Sequence, residues 1–341
     1  MCHHLTPVSL PYLIIQSSFR PAWWLKNGHA QTLWPSLFRP RPDIPLTRER
    51  LELADGDFLD LDWGRENSGP LVLILHGLEG NDQSHYTRTL LKHLSEQGLH
   101  PLLMYFRGCS GEANRLPYAY HSGETGDLAY VIQHLMRRYP HKQIYAVGFS
   151  LGGNVLLKWL GETGRNNPLA AAAAVSVPFV LENAADKLNR GISRLYQHYL
   201  MGKLHQSLKR KIALFDLPVD IQSAMQSKTI RAYDDLVTAP LHHFRNADDY
   251  YRQSSSRRYL HSIAKPTLII HAEDDPFMTK AAIPVSSELS KEVILELSTH
   301  GGHVGFITGR QAFKPVYWLE QRLSDYFLSF EAQPTQHRSL P

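Results

Sequence analysis

Three residues, Ser150, Asp275 and His303, have the types and the order along the chain that a serine nucleophile requires. A serine hydroxyl is a weak nucleophile at its ordinary pKa, so it needs a base that takes its proton and an anion that holds the base. Each of the three comes after an apolar run typical of a buried strand. We therefore predict that they meet at one edge of a sheet and activate the serine hydroxyl.

The serine lies in Gly148-Phe149-Ser150-Leu151-Gly152, a segment that fits a sharp strand-to-helix turn. Residues 143–147 form a short apolar run, and residues 153–160 have helical spacing. Such a turn strains the backbone at its corner, and side chains at the two flanking positions would collide, so glycine is needed there. The segment predicts a nucleophile elbow with Ser150 at the N-terminus of a helix.

Other residues compete for the roles of base and acid. His303 is preferred among the 19 histidines because the glycine pair before it would give a flexible loop after the last strand, and His300 is the alternative. Asp275 is preferred over Asp274 because Pro276 stiffens the turn just after it. The aspartate left over is expected to accept hydrogen bonds from loop amides.

Two backbone amides are predicted to form an oxyanion hole for the substrate. One is the amide of Leu151, immediately after the nucleophile, and the other is that of Leu78, in the loop that contains His76. His76 is expected to brace that loop rather than to transfer protons. Packing or loop anchoring is the favoured interpretation for four further side chains: His29, Cys109, His121 and Asp127. No residue spacing suggests a metal or nucleotide site, so no cofactor is predicted.

Apolar runs alternate with helical segments along most of the chain, which predicts an α/β fold with a mostly parallel, twisted sheet flanked by helices. The runs lie at residues 70–75, 101–106, 143–147, 169–177, 267–271 and 293–297. Before them, residues 51–63 alternate apolar and polar around Asp55-Gly56-Asp57 and predict an antiparallel hairpin. Ligands bind beyond the carboxyl ends of such parallel strands.

The chain is predicted to have four parts. They are an N-terminal arm packed on the core (1–49), the core in two segments (50–180 and 264–330), a helical cap inserted over the site (181–263) and a disordered tail (331–341). The arm is rich in aromatic residues, proline and arginine, and residues 19–45 are expected to contain no periodic element.

The composition excludes several classes of protein. A hydrophobic content of 43% rules out wholesale disorder, and a net charge of +4 without a long basic run argues against binding of nucleic acid. Two cysteines, Cys2 and Cys109, cannot build a disulfide framework, which points to a reducing, cytoplasmic location. No apolar run is long enough to span a bilayer, while contact with a membrane surface and the oligomeric state stay open.

Seven motifs together indicate a protein family far more specifically than the elbow alone. They lie at residues 21–32, 76–80, 107–111, 121–127, 148–154, 274–277 and 302–303. With them the chain resembles the YheT-like family of bacterial α/β-hydrolase fold proteins, related to eukaryotic α/β-hydrolase domain-containing lipases and esterases. The resemblance implies a catalytic triad of Ser150, Asp275 and His303 and hydrolysis of carboxylic esters. Eukaryotic relatives act on acylglycerols or phospholipids and begin with a membrane-anchoring helix, which we do not expect here because no apolar run is long enough to span a bilayer.

We therefore predict a serine esterase, lipase-like in type, that cleaves small-molecule acyl esters of short to medium chain length through an acyl-enzyme, with acylglycerols among the candidate substrates. The same triad would serve a thioesterase or an acyltransferase, which differ only in the leaving group or the acceptor. A non-catalytic ligand-binding protein on the same fold is the alternative of a different class.

Overall fold

The computed structural model describes residues 13–331, which include a nine-stranded sheet. Its strands are β1 (Ile14–Gln16), β2 (Thr47–Glu52), β3 (Phe58–Trp63), β4 (Leu71–Leu75), β5 (His100–Met104), β6 (Ile144–Phe149), β7 (Ala171–Val175), β8 (Thr267–Ala272) and β9 (Val293–Ser298). They lie in the order β1-β9-β8-β7-β6-β4-β5-β3-β2. The pairs β2–β3 and β3–β5 are antiparallel and all other neighbours are parallel, which confirms the predicted fold class and the hairpin.

Helices cover both faces of this sheet, and others lie outside it. The α-helices of the described residues are α1 (Gly28–Phe38), α2 (Thr87–Glu96), α3 (Gly126–Arg138), α4 (Leu151–Thr163), α5 (Leu181–Leu188), α6 (Ser193–Ile212), α7 (Ile221–Gln226), α8 (Ile230–Tyr233), α9 (Ala239–Leu241), α10 (Ala247–Ser254) and α11 (Trp318–Leu328). Apolar residues of α3 and α4 form the core on one face, and those of α2 and α11 form the core on the other. Because both faces are covered, every residue of β4 to β8 is buried, which explains their continuous apolar sequences.

The segment of residues 181–263 contains α5 to α10 and no strand. A π-helical turn at Asp234–Thr238 joins α8 to α9. Leucines and Met201 of α6 pack with Tyr233 and Val237 into a separate small core. The division of the chain into arm, core and cap stays a prediction, and its first 12 residues and its tail beyond Glu331 lie outside the described residues.

The expectation that residues 19–45 contain no regular element is wrong, because α1 lies there. The side chain of Asn27 caps this helix by accepting a hydrogen bond from the His29 amide at 2.8 Å. Pro35 lies inside this helix, where it removes one backbone donor, so the sequence there does not favour a helix. The predicted arm also contains β1, which pairs in parallel with β9. A second, short antiparallel pair, β10 (Ile307–Thr308) and β11 (Val316–Tyr317), follows the main sheet.

Candidate active site

Ser150 lies at the corner between β6 and α4, with φ of 51° and ψ of −117°. This backbone conformation is strained for a residue that has a side chain. A Cβ atom at Gly148 would lie 2.4 Å from the carbonyl oxygen of Gly152, and one at Gly152 would lie 2.5 Å from the carbonyl oxygen of His76. Close backbone approach therefore requires both glycines, and the chain has the strand-turn-helix geometry that its sequence predicts.

The structure brings Ser150, Asp275 and His303 together. The Nε2 atom of His303 lies 3.0 Å from Ser150 Oγ, and its Nδ1 atom lies 2.8 Å from Asp275 Oδ2. Asp275 is almost fully buried, and its second oxygen accepts the Phe277 N–H at 2.8 Å. With a carboxylate beside Nδ1, we infer that the proton of the neutral ring lies on that atom. Nε2 is then free to accept a proton from the serine.

Three contacts that the sequence analysis missed hold the His303 loop. Thr32 of α1 accepts the His303 N–H at 2.8 Å. Ser176, directly after β7, accepts the Val304 N–H at 3.0 Å. The ring of Phe277 stacks on the imidazole of His303, with centroids 4.0 Å apart and planes inclined by 4°. The histidine is therefore positioned by elements from three distant parts of the chain.

The glycine before His303 permits close packing. Gly302 has a φ of 59°, and a Cβ atom there would lie 2.3 Å from the carbonyl oxygen of Gly28 and 2.6 Å from Thr32 Oγ1. Residues 301–307 are all buried. The expectation of a flexible loop is therefore wrong, because α1 lies directly against it.

The alternative acid and base, Asp274 and His300, form a neighbouring pair. His300 Nδ1 lies 3.3 Å from Asp274 Oδ2, and Asp274 Oδ1 accepts the Gly302 N–H at 2.9 Å. Burial raises the pKa of Asp274 above its ordinary value. Asp274 thus accepts a loop amide, as predicted for the aspartate that does not hold His303.

The amides of Leu78 and Leu151 have no hydrogen-bond acceptor among residues 13–331. Leu151 is the first residue of α4, whose initial amides lack helical partners. The loop of Leu78 lies beside the nucleophile, since a Cβ atom at Gly77 would be 3.4 Å from Ser150 Cβ. Both amides are therefore available to an anionic oxygen near Ser150.

Buried polar contacts fix the loop that contains Leu78. Nδ1 of His76 lies 2.7 Å from the Gly77 carbonyl oxygen, and its Nε2 accepts the Phe106 N–H at 3.2 Å. Burial lowers the pKa of His76 to about 4, so the ring is neutral near pH 7. His76 therefore braces the loop through both nitrogens.

Glu79 links the same loop to α6. It has a φ of 50°, and its amide donates to the Tyr120 hydroxyl at 2.6 Å. Its carboxylate accepts hydrogen bonds from the hydroxyls of Tyr120 and Ser207. The residue next to Leu78 is thus tied to a helix of the 181–263 segment, a contact that the sequence did not indicate.

The remaining polar residues that the sequence singled out lie in supporting positions. Asp127 forms a bidentate ion pair with Arg107, with N–O distances of 2.7 and 2.8 Å. Burial raises the pKa of the Cys109 thiol, which disfavours a thiolate nucleophile. His121 accepts the Gly123 N–H at 3.1 Å and lines the cavity described next.

A cavity of about 750 Å³ adjoins Ser150 and His303. The core, α1 and the helices of residues 181–263 supply its walls, and apolar side chains dominate them; examples are Leu78, Leu181, Leu204, Val237, Phe277 and Met278. Among the polar residues in the wall, burial lowers the pKa of Lys211 to about 8. His29, placed in the arm by the sequence analysis, contacts Tyr196 of the wall, with 3.0 Å between Nδ1 and the hydroxyl.

Comparison with known proteins places this architecture in a family. The α/β-hydrolase fold family matches residues 70–310, a stretch that contains Ser150, Asp275 and His303. The chain belongs to the α/β-hydrolase fold family. This α/β hydrolase is 42% identical over 320 residues to "Putative esterase YheT" of Escherichia coli (strain K12), covering 92% of this chain and 94% of that protein.

Two further proteins are similar to this α/β hydrolase. "Phospholipase ABHD3" of Mus musculus is 32% identical over 308 residues, 87% of this chain and 75% of that protein. A solved structure of the Pyrococcus furiosus esterase Pf2001 has a TM-score of 0.56 and 21% identity, over 84% of this chain and 91% of that one, and shows the shared fold. The predicted resemblance to YheT-like hydrolases is confirmed, and the relatives indicate a hydrolase. Between residues 13 and 331, no helix has the length and hydropathy to cross a bilayer.

Proposed function

We propose that this α/β hydrolase is a serine esterase that cleaves carboxylic esters with short- to medium-chain acyl groups, acylglycerols among them. The observation that carries the proposal is the Ser150 hydroxyl at hydrogen-bond distance from His303, which is in turn held by Asp275. A cytoplasmic location is part of the proposal and rests on the two cysteines of the chain.

Acylation is the first half of the proposed reaction. Ser150 Oγ attacks the acyl carbonyl carbon while His303 Nε2 takes the hydroxyl proton. The carbonyl oxygen becomes an oxyanion that accepts hydrogen bonds from the amides of Leu78 and Leu151. His303 then gives the proton to the leaving alcohol oxygen as the carbon–oxygen bond breaks, which leaves the acyl group on Ser150.

Deacylation reverses these roles with water as the nucleophile. His303 takes a proton from the water, whose oxygen attacks the acyl carbon, and returns that proton to Ser150 Oγ as the carboxylic acid leaves. Asp275 stabilises the imidazolium that forms in each half and does not take its proton. No cofactor is part of the proposed reaction.

The cavity supports an apolar acyl chain as the part of the substrate that is recognised. Its volume of about 750 Å³ lies in the range of small-molecule sites, and its walls are mostly apolar. Each methylene transferred from water into such a wall contributes about 0.8 kcal/mol. We expect kcat/KM to rise with acyl length until the chain fills the cavity and to fall beyond that length.

Hydrolysis of p-nitrophenyl esters of increasing acyl length tests the proposal. Ser150→Ala is expected to lower kcat by at least about 10⁴-fold on every ester, because loss of a triad member removes most of the chemistry. The matched control is Ser287→Ala, which changes an exposed serine outside the cavity and should behave as the unchanged chain. Retained hydrolysis in Ser150→Ala would refute the proposal.

A further inference from the structure

Five large apolar side chains stand exposed around the mouth of the cavity. Leu33 and Leu37 belong to α1 and are 43% and 68% exposed. Ile192, Leu195 and Tyr199, at the start of α6, are 60%, 72% and 62% exposed. All five also line the cavity, so they form its outer edge, and we call them the apolar rim.

The two halves of the apolar rim meet at one contact between α1 and α6. His29 and Tyr196 stack with ring centroids 5.8 Å apart and share a hydrogen bond. Leu33 lies about one helical turn after His29, and Leu195 and Tyr199 flank Tyr196. The rim is therefore continuous across the two helices. Contiguous apolar side chains that folding leaves exposed, next to a cavity, are typical of an interaction surface.

The sequence around the apolar rim is basic. Residues 28–42 contain two arginines and residues 189–215 contain six lysines and arginines, while neither range contains an aspartate or a glutamate. Arg41, Arg190 and Arg194 are exposed and form no salt bridge with any residue between 13 and 331. Exposed cations without an anionic partner in the described chain are therefore close to the rim residues in sequence, and one of them, Arg41, lines the same cavity.

We propose that the apolar rim docks on an anionic lipid surface, with its apolar side chains among the acyl chains and its arginines at the lipid phosphates. Exposed apolar side chains and unpaired arginines both suit such a surface. Amphipathic surface elements bind membranes through buried apolar area together with attraction to anionic lipids. A second copy of this chain fits less well. A two-fold interface would place the rim against itself and bring unpaired arginines together.

This inference deepens the proposed esterase function. The docking itself does not depend on that function, but the delivery of an ester to Ser150 rests on it. An acyl ester in a lipid layer would enter the cavity at the edge that contacts the layer and would reach Ser150 without crossing water. Transfer of its chain from lipid to an apolar wall costs little, because both are apolar. The rim would thereby favour lipid-borne esters over dissolved ones.

Sedimentation of the full chain with vesicles tests the proposal. The Ser150→Ala variant is used, so that binding is measured without ester turnover and the result does not depend on the proposed chemistry. Vesicles of phosphatidylcholine are compared with vesicles in which about a third of that lipid is replaced by phosphatidylglycerol. We expect binding to the anionic vesicles to be at least about tenfold tighter, and to weaken at about 1 M salt, where charges are screened within about 3 Å.

Leu195→Glu in the same background tests the apolar rim itself. It should weaken binding to the anionic vesicles by about tenfold or more, since it removes an inserted apolar side chain and adds a negative charge. The matched control is Met136→Glu on α3, which makes a similar change at an apolar residue that is 45% exposed and does not line the cavity. Circular dichroism and the unfolding midpoint establish that both variants fold.

Several outcomes would overturn the proposal. These are absence of vesicle binding, equal binding to neutral and anionic vesicles, and equal effects of Leu195→Glu and Met136→Glu. A dimer in sedimentation velocity that Leu195→Glu converts to a monomer would assign the rim to a second copy instead. None of these results bears on the hydrolysis of dissolved p-nitrophenyl esters, so the docking surface and the esterase function can fail separately.

Discussion

Two neighbouring aspartates have different surroundings, and this difference assigns their roles. Asp275 contacts His303 Nδ1, whereas Asp274 contacts His300 and the Gly302 amide. Both follow β8, so residue type and position along the chain barely distinguish them. The distinction comes from which side chain the turn directs toward the histidine beside Ser150.

Substitution of each aspartate by asparagine separates the two roles. We expect Asp275→Asn to lower kcat on p-nitrophenyl butyrate by about 10⁴-fold, because the amide no longer favours the tautomer with the proton on Nδ1. Asp274→Asn keeps an oxygen that accepts the Gly302 N–H, and its effect should be far smaller. A larger loss in Asp274→Asn would instead favour the alternative pair of Asp274 and His300.

The residues of the proposed triad could be selected from the sequence, but the residues that hold them in place could not. Residue type and position after a predicted strand indicate the serine, the aspartate and the histidine as candidates. Thr32 and Ser176 act by accepting backbone N–H groups, and Phe277 acts by stacking on the imidazole. Contacts of this kind depend on the folded arrangement and leave no pattern of spacing.

At the scale of elements, α1 is a support for the loop of the proposed base. Thr32 Oγ1 donates to the Gly28 carbonyl at 2.7 Å and accepts the His303 N–H. The close approach of Gly302 to the carbonyl of Gly28 fixes the distance between helix and loop. Helix α1 therefore contributes to the site although none of its residues belongs to the proposed triad.

Thr32→Val tests this support. The valine has nearly the same shape but cannot accept the buried His303 N–H, so we expect the free energy of unfolding to fall by about 1–3 kcal/mol. The displaced loop should also lower kcat on a short p-nitrophenyl ester. Urea unfolding and steady-state kinetics measure the two effects, and Thr32→Ser, which keeps the hydroxyl, is the control. Equal behaviour of the two variants would show that the hydroxyl does not hold the loop.

Elements with strong periodicity could be predicted closely, and the exceptions have physical causes. The periodicity of the sequence indicates a helix where α3 lies, because its apolar positions recur at helical spacing. Helix α1 was missed because Pro35 and an uneven distribution of aromatic residues obscure that spacing. Strand β1 has three residues, too few for any alternation to be visible.

At the scale of the whole molecule, buried neutral histidines make stability depend on pH. Burial lowers the pKa of both His76 and His271 to about 4, from an ordinary value of 6.5. Between these two values the unfolded chain binds more protons than the folded one, so stability is lost as the pH falls through this window. Each histidine should cost about 2 kcal/mol of stability on going from about pH 7 to pH 5.

The histidine contribution is measured by urea unfolding over this pH range. His271→Gln should make the free energy of unfolding less dependent on pH by about 2 kcal/mol between pH 7 and pH 5. His141→Gln, which changes an exposed histidine, is the control and should leave the dependence unaltered. An unchanged pH dependence in His271→Gln would contradict a neutral, buried His271.

Of the features of the whole molecule, the fold class could be predicted from the sequence, whereas the apolar rim could not. The fold class follows from strands and helices that alternate along the chain. The apolar rim does not, because it joins α1 to α6 through a contact between His29 and Tyr196, which are 167 positions apart. Sequence spacing cannot show which distant helices share a surface.

Covalent labelling by a fluorophosphonate probe tests most directly whether Ser150 is an activated nucleophile. The probe reacts with a serine whose proton a nearby base removes, so it reports on the proposed chemistry without a choice of substrate. We predict that the folded chain takes up one label, that peptide mass spectrometry locates it on Ser150, and that Ser150→Ala takes up none. A folded chain that stays unlabelled, or a label on another residue, would contradict the account.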